Sequence, residues 1–434
     1  MANNESFKET LGKTSIGDGV FSEQSWEELW NEKKELGEGS FGSVWLVQPK
    51  DKNAVAKELG IGVDELDPHG YALKKILWDH ITKMKNGLHH LEKELEIFCS
   101  LSRMNHPNIM RCYKIYEDDD RNIFFLTELL RGGDLVDVLE GEAKERKISL
   151  GEVYCERTVA CMAFQLLHAV DAFHRNNIMH RDIKLDNICL SGDWFDIGDY
   201  DSNDGSTSDV SSTSGASSST SDASNSTSNG ASSSTSNTSN SINGASSSTS
   251  DTNNNNTSFQ CPKIKIVDFG LGKIVKQNRF TKTGTGTIEY SSPELIRARV
   301  VRTEYGHKVD VWSVGVTCWI LLTGNPPFWP RDKSKASQIE VINGIKNKPP
   351  PFGRDDFKKI GKQAKNFLAY CLKKEYEKRL SPEDLLKQSD WLKPWTESIK
   401  LANDDVNTPT FSKDPLDIGK TLIAYRTESA KLNG

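Results

Sequence analysis

A tract of about seventy residues, 191–262, constrains the fold of this 434-residue chain more than any other feature. Ser, Thr, Asn, Asp and Gly dominate it, and near-copies of Gly-Ala-Ser-Ser-Ser-Thr-Ser begin at Gly215, Gly230 and Gly244. Short polar repeats have no apolar face to bury, so they cannot offset the entropy that an ordered chain loses. We expect the tract to be disordered, and the sequence on its two sides to form the folded body.

Two short motifs flank the tract, and their side chains complement one another chemically. HRDIKLDN precedes the tract and DFG follows it. Asp182 can accept the proton of an attacking hydroxyl, and Lys184 can neutralise phosphoryl charge. Asn187 and Asp268 offer the oxygen ligands that Mg²⁺ prefers. The combination predicts phosphoryl transfer with ATP and Mg²⁺ as cofactors, and it makes the tract an insertion in the turn between two strands of one domain.

A glycine-rich segment near the N-terminus has the pattern GxGxxGxV. The missing side chains of such a loop let backbone amides approach phosphate oxygens. Any hairpin could contain these glycines, but the segment continues as a strand, which argues against a dinucleotide-binding turn that opens a helix. The predicted nucleotide-binding residues of this loop are Gly37, Glu38, Gly39, Ser40, Phe41, Gly42 and Val44.

Lys74 is the lysine that we expect at the α- and β-phosphates of the nucleotide. It lies in a strand-like segment, and so does Lys57, in Ala-Val-Ala-Lys. Lys57 lies far from the next helix, whereas Lys74 precedes Glu94 by 20 residues. We therefore predict Lys74 and Glu94 as the ion pair, and we expect a long connection between strands at 48–70.

Glu94 is preferred to two neighbouring glutamates on the predicted helix 88–101. Choosing it over Glu92 and Glu96 places the apolar residues of the helix beside the ion pair, on the packed face. A solvent-exposed glutamate in a charged helix remains the alternative.

Composition limits the partners and the compartment that we expect. The formal net charge is −6, which gives no reason to expect nucleic acid or an anionic membrane as the main partner. The eight cysteines have no close CxxC pairs, so we expect reduced, mostly buried thiols rather than a zinc site or a disulfide. The N-terminus is polar, and the most apolar run, 311–322, is too short to cross a bilayer. We expect a cytoplasmic protein, with the nucleus as the alternative.

Hydrophobic periodicity divides the folded sequence into two lobes. Ser25 and Glu28 form a capping-box pattern, which predicts a short helix from Trp26 to about Lys33. Strand patterns dominate up to about residue 130, and helical spacing dominates beyond it. The prediction is an α+β fold with a small β-rich lobe and a larger helical lobe. The predicted boundaries are an N-terminal extension at 1–30, a domain at 31–396 with lobes 31–130 and 131–396, the insertion 191–262 and a tail at 397–434.

Together, these motifs resemble the eukaryotic protein kinase family over residues 36–395, apart from the tract. The resemblance implies the two-lobed kinase fold and an enzyme that phosphorylates proteins. Lys184 and Thr287 match the serine/threonine branch of the family. The segment 324–329 is similar to the calcium/calmodulin-dependent kinases, but 395–434 lacks the basic amphipathic helix that calmodulin usually binds.

The resemblance also implies roles for residues outside the two motifs. Ser292-Pro293-Glu294 is similar to the family's Ala-Pro-Glu motif, and Glu294 would form a buried ion pair with Arg379. Asp310 would hold the backbone of the loop that contains Asp182. The adenine pocket would consist of Val44, Ala72, Thr127, Glu128, Leu130 and Cys189, with Thr127 as a small gatekeeper.

Two finer hypotheses concern regulation and substrate choice. Phosphate on Thr283 would be bound by Arg181, Lys273 and His90, which would order the segment around it. Asp134 and Asp186 would favour a basic residue three positions before the acceptor, although contacts to ribose or solvent are the alternative roles. The partners are thus protein substrates with Ser or Thr acceptors, and the oligomeric state stays open.

Two other classes of protein compete with this interpretation. A pseudokinase scaffold would normally lack one of Lys74, Asp182, Asn187 and Asp268, and all four are present. A small-molecule or lipid kinase shares related catalytic residues, but the peptide-binding elements around Thr287 argue against it.

Overall fold

Five antiparallel strands form the sheet of the small lobe. The computed structural model describes residues 19–39, 42–84, 87–197, 259–268, 273–274, 287–301, 305–330 and 337–395. The strand order is β1-β2-β3-β5-β4. The strands are β1 (Trp30–Gly39), β2 (Gly42–Pro49), β3 (Tyr71–Ile76), β4 (Cys112–Glu117) and β5 (Ile123–Glu128).

The segment before β1 covers one face of this sheet. The predicted helix from Trp26 to Lys33 is shorter than expected, because helix α1 (Trp26–Leu29) ends where β1 begins. Trp26 and Leu29 are buried in a cluster with β-strand residues, so pairing in the sheet takes precedence over the helical pattern beyond Leu29. Ile115 of β4 exchanges backbone hydrogen bonds with the chain at 20–22, which ties this part of the predicted extension to the sheet edge.

The connection between β2 and β3 adds a helix to the same face. Helix α2 (Lys52–Leu59) lies within the connection that we expected at 48–70, where the pattern around Lys57 is only superficially strand-like. The Asp51 side chain accepts hydrogen bonds from the first-turn amides, and Gly60 at φ 67° ends the helix. Val55 and Ala56 are buried against the sheet, so the helix is amphipathic.

The other face of the sheet packs against helix α4 (Gly87–Leu101), which follows the short helix α3 (Trp78–Lys83). Leu95 and Phe98 of α4 are buried, and the Phe98 ring lies 4.8 Å from that of Phe125 in β5. Side chains alternate between the faces of a strand. In β3, Leu73 therefore joins the α1–α2 face, while Lys74 points to the α4 face.

Helices dominate the larger lobe. Its centre is α6 (Glu156–Arg175) and α8 (Lys308–Thr323), and α8 is buried from Val309 to Thr323. None of the helices in the described ranges has the length and apolar character to cross a bilayer. The other helices are α5 (Leu135–Arg146), α7 (Pro293–Val301), α9 (Gln338–Asn347), α10 (Lys362–Cys371) and α11 (Pro382–Gln388). The α+β fold class is confirmed.

The region between the two lobes contains short strands. They are β6 (Ile178–Met179), β7 (Ile188–Ile197), β8 (Phe259–Ile266) and β9 (Lys273–Ile274). β6 pairs with β9, and β7 pairs with β8. Residues 191–197 and 259–262, which the sequence analysis placed in the insertion, are therefore strand residues.

A disulfide joins β8 to α6, which corrects the expectation that all cysteines are reduced. Cys161 and Cys261 are fully buried, and their Cα atoms are 6.6 Å apart. They are 100 residues apart in sequence, so spacing alone gave no sign of the pair. The amide of Gln165 donates to the carbonyl of Pro262, which fixes the same strand against α6.

Candidate active site

A lysine and a glutamate meet between β3 and α4. The Lys74 ammonium lies 2.5 Å from the Glu94 carboxylate, so the structure contains the ion pair that the spacing predicted. Burial lowers the pKa of Lys74, but the nearby carboxylates of Glu94 and Asp268 raise it by more, and the result lies above the usual value. A fixed cation therefore stands beside Asp268 at neutral pH.

The loop between β6 and β7 positions the predicted general base. Asp182 is buried, and the Asn187 side-chain amide donates to its backbone carbonyl at 2.8 Å and to its Oδ2 at 3.1 Å. The Lys184 ammonium lies 3.4 Å from the same Oδ2. Because Asn187 uses its amide nitrogen for both contacts, its amide oxygen is the atom that can face a metal ion.

Thr287 holds the second oxygen of the same carboxylate. Its backbone N–H donates to Asp182 Oδ1 at 3.0 Å, and its hydroxyl donates to that atom at 3.2 Å. The Lys184 ammonium lies 3.5 Å from the Thr287 hydroxyl. The two residues that mark the serine/threonine branch thus meet directly at Asp182.

A buried carboxylate on α8 fixes the backbone of this loop. Asp310 accepts from the backbone N–H of His180 at 3.0 Å and from that of Arg181 at 2.7 Å, as the resemblance implied. Arg181 adopts a left-handed backbone conformation with φ 68°, which these bonds stabilise. Burial raises the pKa of Asp310, but the hydrogen bond and charge of His174 outweigh it, and the pKa falls below its usual value.

Asp268 follows β8 directly and lies beside the same loop. The N–H of the preceding residue, Val267, donates to the Asn187 carbonyl at 2.9 Å, and its carbonyl lies 3.1 Å from the His180 ring. Asp268 is exposed and has φ 57°, a second left-handed residue in the site. The chain on either side of the insertion thus converges next to Lys74, while Phe269 and Gly270 lie outside the described residues.

The glycine-rich segment forms the turn between β1 and β2. Gly37, Glu38 and Gly39 belong to β1, and Gly42 begins β2. A side chain at Gly42 would collide with the carbonyl of Lys75, so the close approach of β3 requires glycine. Ser40 and Phe41, at the tip, lie outside the described residues.

The predicted adenine pocket lies where β2, β3 and β5 meet the linker, which is the segment 129–134 between β5 and α5. Ala72 pairs with Leu46 of β2 and with Thr127 of β5, which is buried. Val44 pairs with Lys74. Leu130 is half-buried at the start of the linker.

Cys189 faces this linker from β7. It forms an isolated bridge with Asp134, and burial with the charge of Asp134 raises the pKa of its thiol to about 12. Gly132 and Leu190 approach so closely that a Cβ on Gly132 would overlap Leu190. The linker therefore lies directly on the strand that carries Cys189.

Glu128 is anchored by a lysine that sequence reasoning did not single out. Its carboxylate lies 2.7 Å from the Lys265 ammonium of β8 and accepts from the backbone N–H of Arg111 at 2.6 Å. Burial lowers the pKa of Lys265, and the charge of Glu128 offsets only part of that effect. The sequence signal that could have identified Lys265 is its position between two isoleucines of a buried strand.

The Glu294–Arg379 ion pair is confirmed. The guanidinium of Arg379 is fully buried and donates to both carboxylate oxygens of Glu294, at 2.5 and 3.1 Å. It also donates to the backbone carbonyls of Lys373 and Lys308. This pair fixes the start of α7 to the large lobe.

Ser291 and Arg299 also belong to the site and were missed. The Arg299 guanidinium donates to the Ser291 hydroxyl at 3.1 Å, and that hydroxyl donates to the Thr287 carbonyl at 2.7 Å. Neither residue was singled out from the sequence, because no sequence pattern placed an arginine eight residues after Ser291 beside it.

The hypothesis that phosphate on Thr283 orders its segment concerns residues outside the described part of the chain. The structure does not describe Thr281, Thr283 and Thr285, nor the side chain of Lys273. Of the predicted phosphate ligands, the guanidinium of Arg181 is described, and it donates to the Tyr305 hydroxyl at 3.1 Å.

The residues present fit magnesium and a nucleotide triphosphate. One amide oxygen and one exposed carboxylate, from Asn187 and Asp268, are hard oxygen donors, and Lys74 supplies positive charge beside them. When bound, ATP with a divalent metal ion would supply the phosphoryl group and the neutralising metal charge. Asp182 would orient the acceptor hydroxyl and take its proton, and Lys184 would stabilise charge on the transferred group.

Comparison with known proteins agrees with this geometry. A family model described as the protein kinase domain matches residues 30–220 and 251–392. Calcium-dependent protein kinase 4 of Plasmodium berghei is 26% identical over 407 residues, covering 93% of this chain and 56% of that protein. Myosin light chain kinase A of Dictyostelium discoideum is 25% identical over 377 residues, covering 87% of this chain and 91% of that protein.

The length of chain that matches differs among these relatives. Calcium-dependent protein kinase 32 of Arabidopsis thaliana is 24% identical over 369 residues, covering 85% of this chain and 48% of that protein. The chain thus spans about half the length of the calcium-dependent relatives that it matches. Since the family model covers most of the sequence and the catalytic side chains converge in one site, the chain belongs to the protein kinase domain family.

Proposed function

We propose that this chain transfers the γ-phosphoryl group of Mg-ATP to Ser and Thr hydroxyls of proteins. One observation carries the proposal: the two carboxylate oxygens of Asp182 are held by different partners. Asn187 and Lys184 contact its Oδ2, and Thr287 contacts its Oδ1. A general base held in this way can orient a hydroxyl without moving when the substrate binds.

Thr287 supports Ser/Thr rather than Tyr acceptors. Its hydroxyl contacts both Asp182 and Lys184, so this segment lies close to the position of the attacking oxygen. A short acceptor side chain fits such a close approach, whereas a tyrosine ring needs the acceptor backbone to lie farther away.

A scaffold without catalysis is the second candidate, but the described contacts favour an enzyme. Lys74 and Glu94 form their ion pair, and Asp268 lies beside them. A scaffold has no need for a charged lysine and an exposed carboxylate converging on one point.

Incubation of the purified protein with Mg-ATP and a degenerate peptide library tests the proposal. We expect phosphate on Ser and Thr, and none in an Asp268→Ala variant. Phosphotyrosine alone would contradict the acceptor class. A wild-type protein that binds Mg-ATP in a thermal-shift assay yet phosphorylates no peptide would contradict the proposal that the chain is an enzyme.

We also propose a preference for Arg or Lys upstream of the acceptor. The Asp186 carboxylate is exposed on the catalytic loop, where it can meet a cation. Asp134 caps α5, and one of its oxygens accepts from two backbone amides at 2.9 Å, so Asp186 supports the preference better. The same library should show enrichment of basic residues that Asp186→Asn removes, and a flat profile would contradict it.

Regulation by phosphate on Thr283 is a further part of the proposal. Arg181 lies next to the general base, and a phosphate near it would form charge-assisted hydrogen bonds. Protein produced without phosphorylation should gain activity on treatment with an activating kinase, and Thr283→Ala should not. Equal activity of the two unphosphorylated proteins and no gain in wild type would contradict the proposal.

For location we propose the cytoplasm or nucleus, because six of the cysteines are free thiols, as is usual in reducing compartments. The Cys161–Cys261 bond is more typical of oxidising compartments. Cell fractionation with thiol trapping would test both statements, and recovery in a secreted fraction would contradict the location.

A further inference from the structure

Ser291 is a buried polar residue in a segment that packs against the catalytic loop. It is 2% exposed, directly after the short helical turn Ile288–Tyr290. A buried hydroxyl destabilises a fold unless it forms hydrogen bonds. Here it donates to the Thr287 carbonyl at 2.7 Å and accepts from the Arg299 guanidinium at 3.1 Å.

Arg299 reaches this position from α7. It is half-buried, and burial lowers its pKa, but the charges of Asp182 and Glu289 and the phenol of Tyr305 act in the other direction. Arg299 therefore places a cation close to the general base. Its guanidinium donates a hydrogen bond to the Ser291 hydroxyl.

These contacts form a continuous series that ends on one oxygen of Asp182. Arg299 donates to Ser291, Ser291 donates to the Thr287 carbonyl, and Thr287 donates through its N–H and its hydroxyl to Asp182 Oδ1. The other oxygen, Oδ2, is held by Asn187. The two oxygens of the base are thus held by different partners, and Lys184 lies between Oδ2 and the Thr287 hydroxyl.

We propose that Arg299 and Ser291 are positioning residues, which hold Thr287 against Asp182 and so fix the oxygen of the base that faces the acceptor. The inference rests on the kinase activity proposed above. Without the series, Thr287 can move away from Asp182, and the carboxylate keeps only its Oδ2 partners. The acceptor hydroxyl then meets a less ordered base, whereas Lys74 and Asp268 on the nucleotide side are unchanged.

Ser291→Ala and Arg299→Met test the series in steady-state kinetics with a Ser peptide. We expect kcat to fall about tenfold in each, the loss that one or two hydrogen bonds cause. The peptide KM should rise, and the KM for ATP should stay within about twofold, because a positioning defect on the acceptor side leaves nucleotide binding intact. Arg299→Lys, which keeps a donor, should recover part of the lost kcat.

Arg297→Met is the matched control, since Arg297 is an exposed arginine on the same helix. It should leave all constants unchanged. Thermal unfolding, with and without Mg-ATP, tells a positioning defect from a loss of folded protein in each variant.

Three results would overturn the inference: an unchanged kcat in Ser291→Ala, a KM for ATP that rises in parallel with the loss of kcat, or an Arg299→Lys variant no better than Arg299→Met. Should Ser291→Ala fail to fold, the two Arg299 variants decide. A wild-type enzyme without peptide phosphorylation would instead contradict the proposed function, and it would be seen before any variant is compared.

Discussion

The two lobes hold their catalytic residues in different ways. In the small lobe, Lys74 depends on one ion pair with Glu94, and the two side chains are 27% and 13% exposed. In the large lobe, Asp182 is buried and receives hydrogen bonds on both carboxylate oxygens, while a fully buried Asp310 fixes the backbone before it.

The difference predicts which substitutions lower only catalysis and which also lower the stability of the fold. The small-lobe pair is partly buried but still reached by solvent, so altering it should affect folding less than altering a fully buried network. A buried network leaves polar atoms without partners when one member is removed, so stability and activity change together. The predictions below start with the largest effect.

Asp182→Asn should lower kcat by about 10²–10⁴-fold, because the isosteric amide keeps most contacts but cannot take a proton. Initial rates with a Ser peptide measure this loss. Asp390→Asn, on the surface beside Lys393, is the control and should have wild-type rates. Activity of Asp182→Asn within tenfold of wild type would remove Asp182 as the base.

Arg379→Met should lower the free energy of unfolding by about 3–5 kcal/mol, because it leaves the buried Glu294 carboxylate without its partner. Thermal or denaturant unfolding measures this change. Arg354→Met, which breaks the more exposed pair with Asp356, should cost less than about 1 kcal/mol. Equal losses of unfolding free energy in the two variants would show that burial does not determine how much an ion pair contributes to stability.

Glu94→Gln should lower kcat/KM for ATP by about 10²-fold, since Lys74 loses the charge that fixes it. Its unfolding midpoint should stay close to that of wild type, unlike Arg379→Met. Glu96→Gln, on the same helix, is the control for the choice of glutamate. A larger kinetic loss in Glu96→Gln than in Glu94→Gln would show that the ion pair was assigned wrongly.

Acid should destabilise the fold through buried histidines. Burial and the charges of His168 and Lys265 lower the pKa of His106 from 6.5 to about 3. The unfolded chain therefore binds a proton that the folded chain does not, and stability falls as the pH drops from about 6.5 toward 3. His106→Gln should flatten this decline in unfolding free energy, whereas His69→Gln, at an exposed site, should not.

Removing the insertion should have the smallest effect on catalysis. The limits 191–262 that the sequence predicted for the insertion cut into the paired strands β7 and β8. Replacing 198–258 keeps both strands, and kcat should stay within about twofold. Loop closure entropy changes by only about 0.6 kcal/mol per doubling of length, so stability should rise modestly. A folded deletion without activity would show that the tract takes part in catalysis.

Features that depend on residues near one another in the sequence could be predicted better than contacts between distant residues. Helix α4 and its Glu94 follow from local periodicity and a fixed distance to Lys74, and the structure has both. Helix α2 was not predicted within the connection at 48–70, because Val55 and Ala56 fit a strand or a helix and only packing against the sheet decides between them.

Long-range pairs carried no local signal. The cysteines at 161 and 261, the Glu128–Lys265 pair and the Ser291–Arg299 contact each depend on how distant elements pack. Their residue types are common in sequences, and partners in space leave no periodic pattern.

The sequence by itself indicated the family and predicted the side chains of the site, since the motifs of the family place particular residue types in a fixed order along the chain. Only the tertiary structure decided how each group is held: which oxygen of Asp182 faces which partner, and which residues support Thr287. Hydrogen bonds depend on distances of a few tenths of an ångström, and only the packed lobes fix such distances.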